Sequence, residues 1–242
     1  MSARPDHGIH DQPSIGLLGL AVAERGLRLH TEDSSFEPER RQSLGFRVVT
    51  ETNEPLTSYD VVHDRQMHLI LVRRDLTGFQ HLHPAMGPDG TWTTEVVLPT
   101  PGSWRAFADF SARGEPFTLG VDLAVPGEFR PEPLPSPTSE FRVDGHRVTL
   151  NAETHGSHAA LRFRIDEDGA PVLLEPYLGA RGHLVALREG DLAFLHVHPT
   201  EELEDAGRVS FGATLPSAGR FRLFLQYQAE GTVRTAAFTV ER

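Results

Sequence analysis

Two short stretches of this chain carry the residues best suited to chemistry: His81-Leu82-His83-Pro84 and His196-Val197-His198-Pro199. Each is preceded by a further histidine, His68 or His183, at the same interval, since 81−68 and 196−183 both equal 13. The chain therefore holds two copies of a three-imidazole set, 115 positions apart. Imidazole is the commonest protein ligand for borderline transition metals such as copper and zinc. Side chains alternate faces along a strand, so His81 and His83 point the same way, with Cβ atoms about 7 Å apart. Both can then reach one ion through bonds of about 2.0 Å.

A third ligand needs a second strand. If the segments starting at His68 and ending near His83 form a hairpin through the Arg73–Gly78 region, His68 lies across from His81 and His83. The same reasoning places His183 beside His196 and His198. Three neutral imidazoles leave one coordination position open for water, a carboxylate or a second protein group. Copper(II) or zinc suits such a set, and the Irving–Williams order favours copper. Histidines that hydrogen-bond loop backbone next to a proline would fit the pattern too. The halves differ at many other matched positions, Trp104 against Phe221 for example, and this favours ligands over inheritance.

The elements that must position these residues repeat as well. Met67-His68-Leu69-Ile70-Leu71-Val72-Arg73 is answered by Gly182-His183-Leu184-Val185-Ala186-Leu187-Arg188. Leu98-Pro99 with Gly102, Arg105, Phe107 and Phe110 matches Leu215-Pro216 with Gly219, Arg222, Phe224 and Tyr227, at a shift of 117. Phe46-Arg47-Val48 followed by Pro55 resembles Phe163-Arg164-Ile165 followed by Pro171. Such self-similarity marks an internal duplication. Between the copies runs Pro126 to Pro137, where alternate prolines favour an extended polyproline linker. The expected organisation is a disordered tail at 1–14, a first domain at 15–126, the linker at 127–138 and a second domain at 139–242.

Short strands with turn residues between them fill each half, and no apolar stripe of helical period appears. Asp144-Gly145, between Phe141–Val143 and His146–Leu150, is a hairpin signal. Strands are expected at Leu161–Ile165, His183–Leu187, Ala193–Val197, Arg208–Leu215, Arg220–Tyr227 and Arg234–Val240, and a first one at Ile15–Ala23. Roughly seven strands per ~110 residues is the immunoglobulin-like pattern. The fold expected is all-β: two tandem immunoglobulin-like β-sandwiches.

Composition narrows the function. A net charge of −11 lacks the basic footprint of a general nucleic-acid binder. The absence of cysteine excludes thiolate metal sites, iron–sulfur clusters and disulfides. No apolar run reaches the ~18–20 residues of a membrane span, and no basic region precedes Ile15–Ala23 as a signal peptide would require. Phosphate-binding glycine loops, the Gly-x-Ser-x-Gly elbow and His-Glu-x-x-His are missing.

Other candidates are weaker. Met67 and Met86 lie near the first histidine set, and Asp109 has Gln226 as its counterpart, which argues against a shared ligand role. His30, His63, His146, His155 and His158 lack duplicates and read as solvated surface residues, the last two in a loop at Glu153–Ala159. His7 and His10 belong to the tail. Arg73 and Arg188 recur, and an arginine at a strand end most often pairs with a carboxylate.

The His68–Pro84 blocks, and the Tyr177–Pro199 stretch that matches them, resemble those of a family of uncharacterised two-domain bacterial proteins, exported or membrane-anchored and common in actinobacteria. That resemblance implies an extracytoplasmic setting, although no evident signal or anchor is seen. A looser similarity to cupins rests on His-x-His, without the glutamate and second-motif histidine at cupin spacing. The reading is a non-enzymatic transition-metal protein for sequestration or delivery, binding copper or alternatively zinc through His68, His81, His83 and through His183, His196, His198. A metalloenzyme using the open position is one alternative. An adhesion or scaffold module with structural histidines is another. Its expected partner is a metal ion, with any protein partner left open by the sequence.

Overall fold

Apolar residues occupy both parities of Leu69-Ile70-Leu71-Val72, the pattern of a strand buried on both faces. The computed structural model shows why. It describes residues 18–195, 197–200 and 206–242, with the His198 side chain outside that description. The tail expected at 1–14, with His7 and His10, and the residue His196 lie outside the described residues.

The first half contains β1 (Ala23–Glu24), β2 (Leu27–Thr31), β3 (Arg41–Thr50), β4 (His68–Arg73), β5 (Gln80–Leu82), β6 (Ala85–Met86), β7 (Trp92–Val97), β8 (Gly102–Ala112) and β9 (Glu115–Val125). The second contains β10 (Glu140–Val143), β11 (His146–His155), β12 (His158–Glu167), β13 (Ala170–Pro171), β14 (His183–Arg188), β15 (Val197–Pro199), β16 (Arg208–Thr214), β17 (Arg220–Ala229) and β18 (Thr232–Glu241). No helix occurs among the described residues. The first half folds as sheets β1-β2-β3-β7-β6 and β5-β4-β8-β9. The second folds as β10-β11-β12-β16-β15, with β13 on β12, and β14-β17-β18. Every strand pair is antiparallel, and the protein is two immunoglobulin-like sandwiches in tandem.

Three apolar clusters account for the packing. One fills the first sandwich and includes Leu69, Leu71, Ala106, Ala108 and Phe110. A second fills the other sandwich around Ala186, Leu223, Leu225 and Tyr227. The third joins the halves: Ile70, Val72 and Phe107 of the first sandwich meet Val185, Leu187, Leu192 and Phe224 of the second. Phe79 stacks on Phe224 at 4.1 Å between ring centroids. Strand alternation thus gives β4 one face for its own core and one for the partner sandwich. The Pro-rich connection lies on this junction, with Leu134 buried in the shared cluster and its carbonyl accepting from Arg220 Nη1 at 3.2 Å.

Two expected strands are corrected. Within Ile15–Ala23, residues 18–22 form no strand. Their hydrogen bonds go elsewhere: Phe194 N–H donates to the Leu18 carbonyl, and Arg105 Nη2 donates to the carbonyls of Gly19 and Leu20. Gly120 permits that docking, because a Cβ there would come within 2.0 Å of the Gly19 oxygen. Ala193–Val197 is likewise not one strand. Phe194 and Leu195 divide their bonds between Leu18 and Ala186, and a regular ladder begins only at Val197.

Candidate metal centre

The hairpin that must close the first histidine set forms. In the β4–β5 ladder Leu69 faces Leu82, Ile70 faces His81 and Leu71 faces Gln80. His68 shares its parity with Ile70 and Val72, so its ring points toward the junction between sandwiches. His81, opposite Ile70, points there too. One nitrogen from each of His68, His81 and His83 lies within 4.8 Å of the others. His68 is buried at 7 % exposure, and His81 and His83 are half-buried.

The outer contacts of the rings bear on which nitrogens carry lone pairs. His68 Nε2 is 3.1 Å from the Val62 carbonyl, which only accepts, so Nε2 bears the proton and Nδ1 the lone pair. His81 Nδ1 is 2.6 Å from Gln226 Oε1. Gln226 Nε2 lies 3.3 Å from Thr235 Oγ1, with the amide oxygen facing His81. With the amide oxygen on this side, His81 Nδ1 is the donor and Nε2 the acceptor. Yet His68 Nδ1 and His81 Nε2 stand 3.0 Å apart. Two lone pairs at that separation repel unless a cation lies between them. His83 Nε2 adds a buried nitrogen with no partner among the described residues, a state that costs about 1–3 kcal/mol when nothing is bound. A proton fills the gap poorly. Burial above all, helped by neighbouring histidines, lowers His68 to about 4, His81 to about 3 and His83 to about 4. A metal ion with bonds of about 2.0 Å fits three such nitrogens. The outer bonds to Val62 and Gln226 are the orienting contacts that metal-binding histidines commonly make.

Residues of the second half complete the surroundings. His183 Nε2 is 2.8 Å from the Tyr177 carbonyl, repeating the His68–Val62 contact, and burial lowers its pKa. The Leu187–Phe194 bridge falls where Val72 and Phe79 stand in the first half, and beyond it β15 pairs with β16. The fate of His196 and of the His198 ring lies outside the described residues. A cavity of about 240 Å³ between the sandwiches is lined by His63, His68, His81, Asp109 and His183 among mostly apolar side chains. Asp109 Oδ1 accepts from Thr118 Oγ1 at 2.7 Å, and burial raises its carboxyl to about 6.

Several residues read differently from sequence alone. Met67 is buried in the first core and Met86 packs against it, because their parity faces inward. His146 is not at the surface: it is 1 % exposed, with Nδ1 3.0 Å from the Tyr227 hydroxyl. His155 and His158 are exposed, but on a tight hairpin as cross-strand partners rather than in a loop. His30 is exposed. Arg73 and Arg188 pair with Asp75 and Asp191. His63 is exposed yet packs edge-on against His183, with centroids 5.0 Å apart. Gln226 and His63 escaped sequence reasoning because neither is duplicated. The parity that Gln226 shares with Phe224, and Asp109 with Phe107, was the available signal.

The sequence matches the family described as "Domain of unknown function (DUF8832)" at residues 21–127 and again at 141–242. The chain belongs to this family. Its two DUF8832 repeats correspond to the two sandwiches, whose facing sheets carry His68, His81 and His183. No curated protein matches the sequence. Among solved structures, the DUF8832 pair is similar to a DUF4426 family protein from Pseudomonas aeruginosa, at 15% identity and a TM-score of 0.33, covering 43% of this chain and 96% of that one. It is also similar to an Escherichia coli adhesin, at 12% identity and a TM-score of 0.32, covering 91% of this chain and 65% of that one. A marsupial T cell receptor aligns at 12% identity with a TM-score of 0.27, over 90% of this chain and 99% of that one.

Proposed function

We propose that this protein binds a transition metal through His68, His81 and His83, and that copper is its natural ion, with zinc as the alternative. The observation that carries this reading is the convergence of one nitrogen from each of His68, His81 and His83 within 4.8 Å, two of them 3.0 Å apart. Neutral imidazole and no thiolate suit copper(II) or zinc, and the Irving–Williams order favours copper. From the matching set His183, His196 and His198, the repeat brings His183 to the same cavity. The role is sequestration or delivery rather than catalysis. An extracytoplasmic setting follows from the sequence resemblance, with the two units dividing at 127–138. Titration calorimetry on metal-stripped protein tests the reading. Copper(II) binds wild type with at least one equivalent at micromolar concentration, and His81→Ala removes the tightest equivalent. Heat changes identical in both proteins, or none in either, refute it.

One observation favours a second reading. The cavity beside the histidines also contains Asp109, whose carboxyl, raised to about 6 by burial, holds a proton in mildly acidic solution. An open metal position next to a proton-holding acid is the arrangement of a metal-assisted hydrolase or oxidase. Turnover of any ester, phosphoester or phenol panel by the copper- or zinc-loaded protein, lost on chelation and in Asp109→Asn, would establish it.

A further inference from the structure

The turns that precede β4 and β14 are copies of one device. Each closes with an antiparallel bridge, Val62 to Arg65 and Tyr177 to Ala180. Each gives its first carbonyl to the Nε2 of the histidine six residues on. Each places its second residue in the left-handed region, His63 at φ 51° and Leu178 at φ 53°. The two residues then part company. Leu178 is buried at 7 % exposure and anchors its turn by packing, whereas His63 is exposed. A left-handed conformation in a non-glycine residue costs on the order of 1 kcal/mol, and an exposed ring recovers little of that by packing. The ring of His63 does have a specific position. It stands edge-on to His183 of the other sandwich at 5.0 Å and to His68 of its own at 6.3 Å.

We infer that His63 and His183 hold a second metal ion beside the one at His68, His81 and His83, so that the centre is dinuclear and straddles the junction of the two sandwiches. This rests on the three-histidine reading above. His183 has the same outer contact as His68, and so presents its Nδ1 lone pair in the same way. An imidazole pair at 5.0 Å between centroids can close on one ion with bonds of about 2.0 Å, and the exposed His63 side chain is free to adjust. Asp64 brings a carboxylate to this side, its Oδ2 3.5 Å from where a Cβ on Gly179 would stand. Its charge attracts a divalent ion and opposes that of Arg65, the cation that acts on His68 and His83. The shared cavity, lined by His63, His68, His81 and His183, leaves room for a water or small oxyanion bridging the two ions.

The test is a copper(II) titration of the full, metal-free chain, followed by calorimetry and electron paramagnetic resonance. Wild type takes up two equivalents, and the second broadens the mononuclear signal and brings a half-field transition from spin coupling. His63→Leu, which installs the residue the second repeat uses at this position, takes up one equivalent and keeps a simple mononuclear spectrum. Two uncoupled signals in wild type overturn the inference, as does a coupled pair that survives in His63→Leu. A single equivalent that is lost in His81→Ala but untouched by His63→Leu overturns the second position alone. Uptake that ignores His81→Ala overturns the three-histidine reading as well.

Discussion

His81 Nδ1 lies 2.6 Å from the side-chain oxygen of Gln226, a residue 145 positions away in the other sandwich. One domain therefore orients an imidazole of its neighbour's candidate metal site. Orienting partners of this kind are typically worth 10- to 100-fold in metal affinity. Gln226→Leu is expected to weaken copper(II) binding by roughly that factor without changing stoichiometry. Gln226→Glu, which puts a carboxylate behind the imidazole, is expected to strengthen it. Chelator competition measures both. Equal affinity in all three proteins would detach Gln226 from the site.

Acid stability follows from the same rings. His68, His81 and His83 fall to about 4, 3 and 4 when folded, chiefly through burial, against 6.5 ordinarily. At pH above 6.5 the rings are neutral in both states and contribute no pH dependence. As pH falls below 6.5 the unfolded chain takes up protons that the folded chain refuses, so stability is lost toward pH 4. Thermal melts of metal-free protein should show this decline, with a shallower slope in His81→Gln. A slope identical in the variant would contradict it.

Asp109 works in the opposite direction. Its carboxyl rises to about 6 on folding, through burial, against 3.8 ordinarily. Stability from holding that proton is present below pH 4 and is lost as pH rises through 6. Asp109→Asn stays neutral and can still accept from Thr118. The variant should melt higher than wild type at pH 7.5 and show no advantage at pH 4. Parity of the two proteins at both values would mean that the carboxyl is not enclosed.

His146 provides the contrast. It meets Tyr227 in the second core, away from the junction. His146→Leu strands the tyrosine hydroxyl and is expected to cost about 1–3 kcal/mol of stability, read by denaturant unfolding. Copper uptake should be unchanged. A loss of metal with intact stability would reassign this residue to the site.

Much of this arrangement was legible in the sequence, and the reasons are specific. The hairpin register followed from His68, His81 and His83 themselves, because alternation leaves one way to place three rings together. The duplication followed from matched blocks, and the sandwich fold from strand spacing. Three things were hidden. Two-faced burial of Leu69-Ile70-Leu71-Val72 signalled a partner surface without saying that the partner was the other half. The Asp109–Gln226 mismatch looked like evidence against a role, whereas both positions face the junction and one holds His81. Nothing local in Ile15–Ala23 reveals that Leu18 bonds to Phe194 instead of joining a strand of its own.

The central claim is that three imidazoles converge on one ion at the junction of the sandwiches. Crystals of the full chain soaked in copper(II) and measured on both sides of the copper absorption edge test it most directly. The account predicts an anomalous peak about 2.0 Å from one nitrogen each of His68, His81 and His83. Ordered protein with no peak among these three rings, or a peak held only by surface histidines such as His155 and His158, would contradict it.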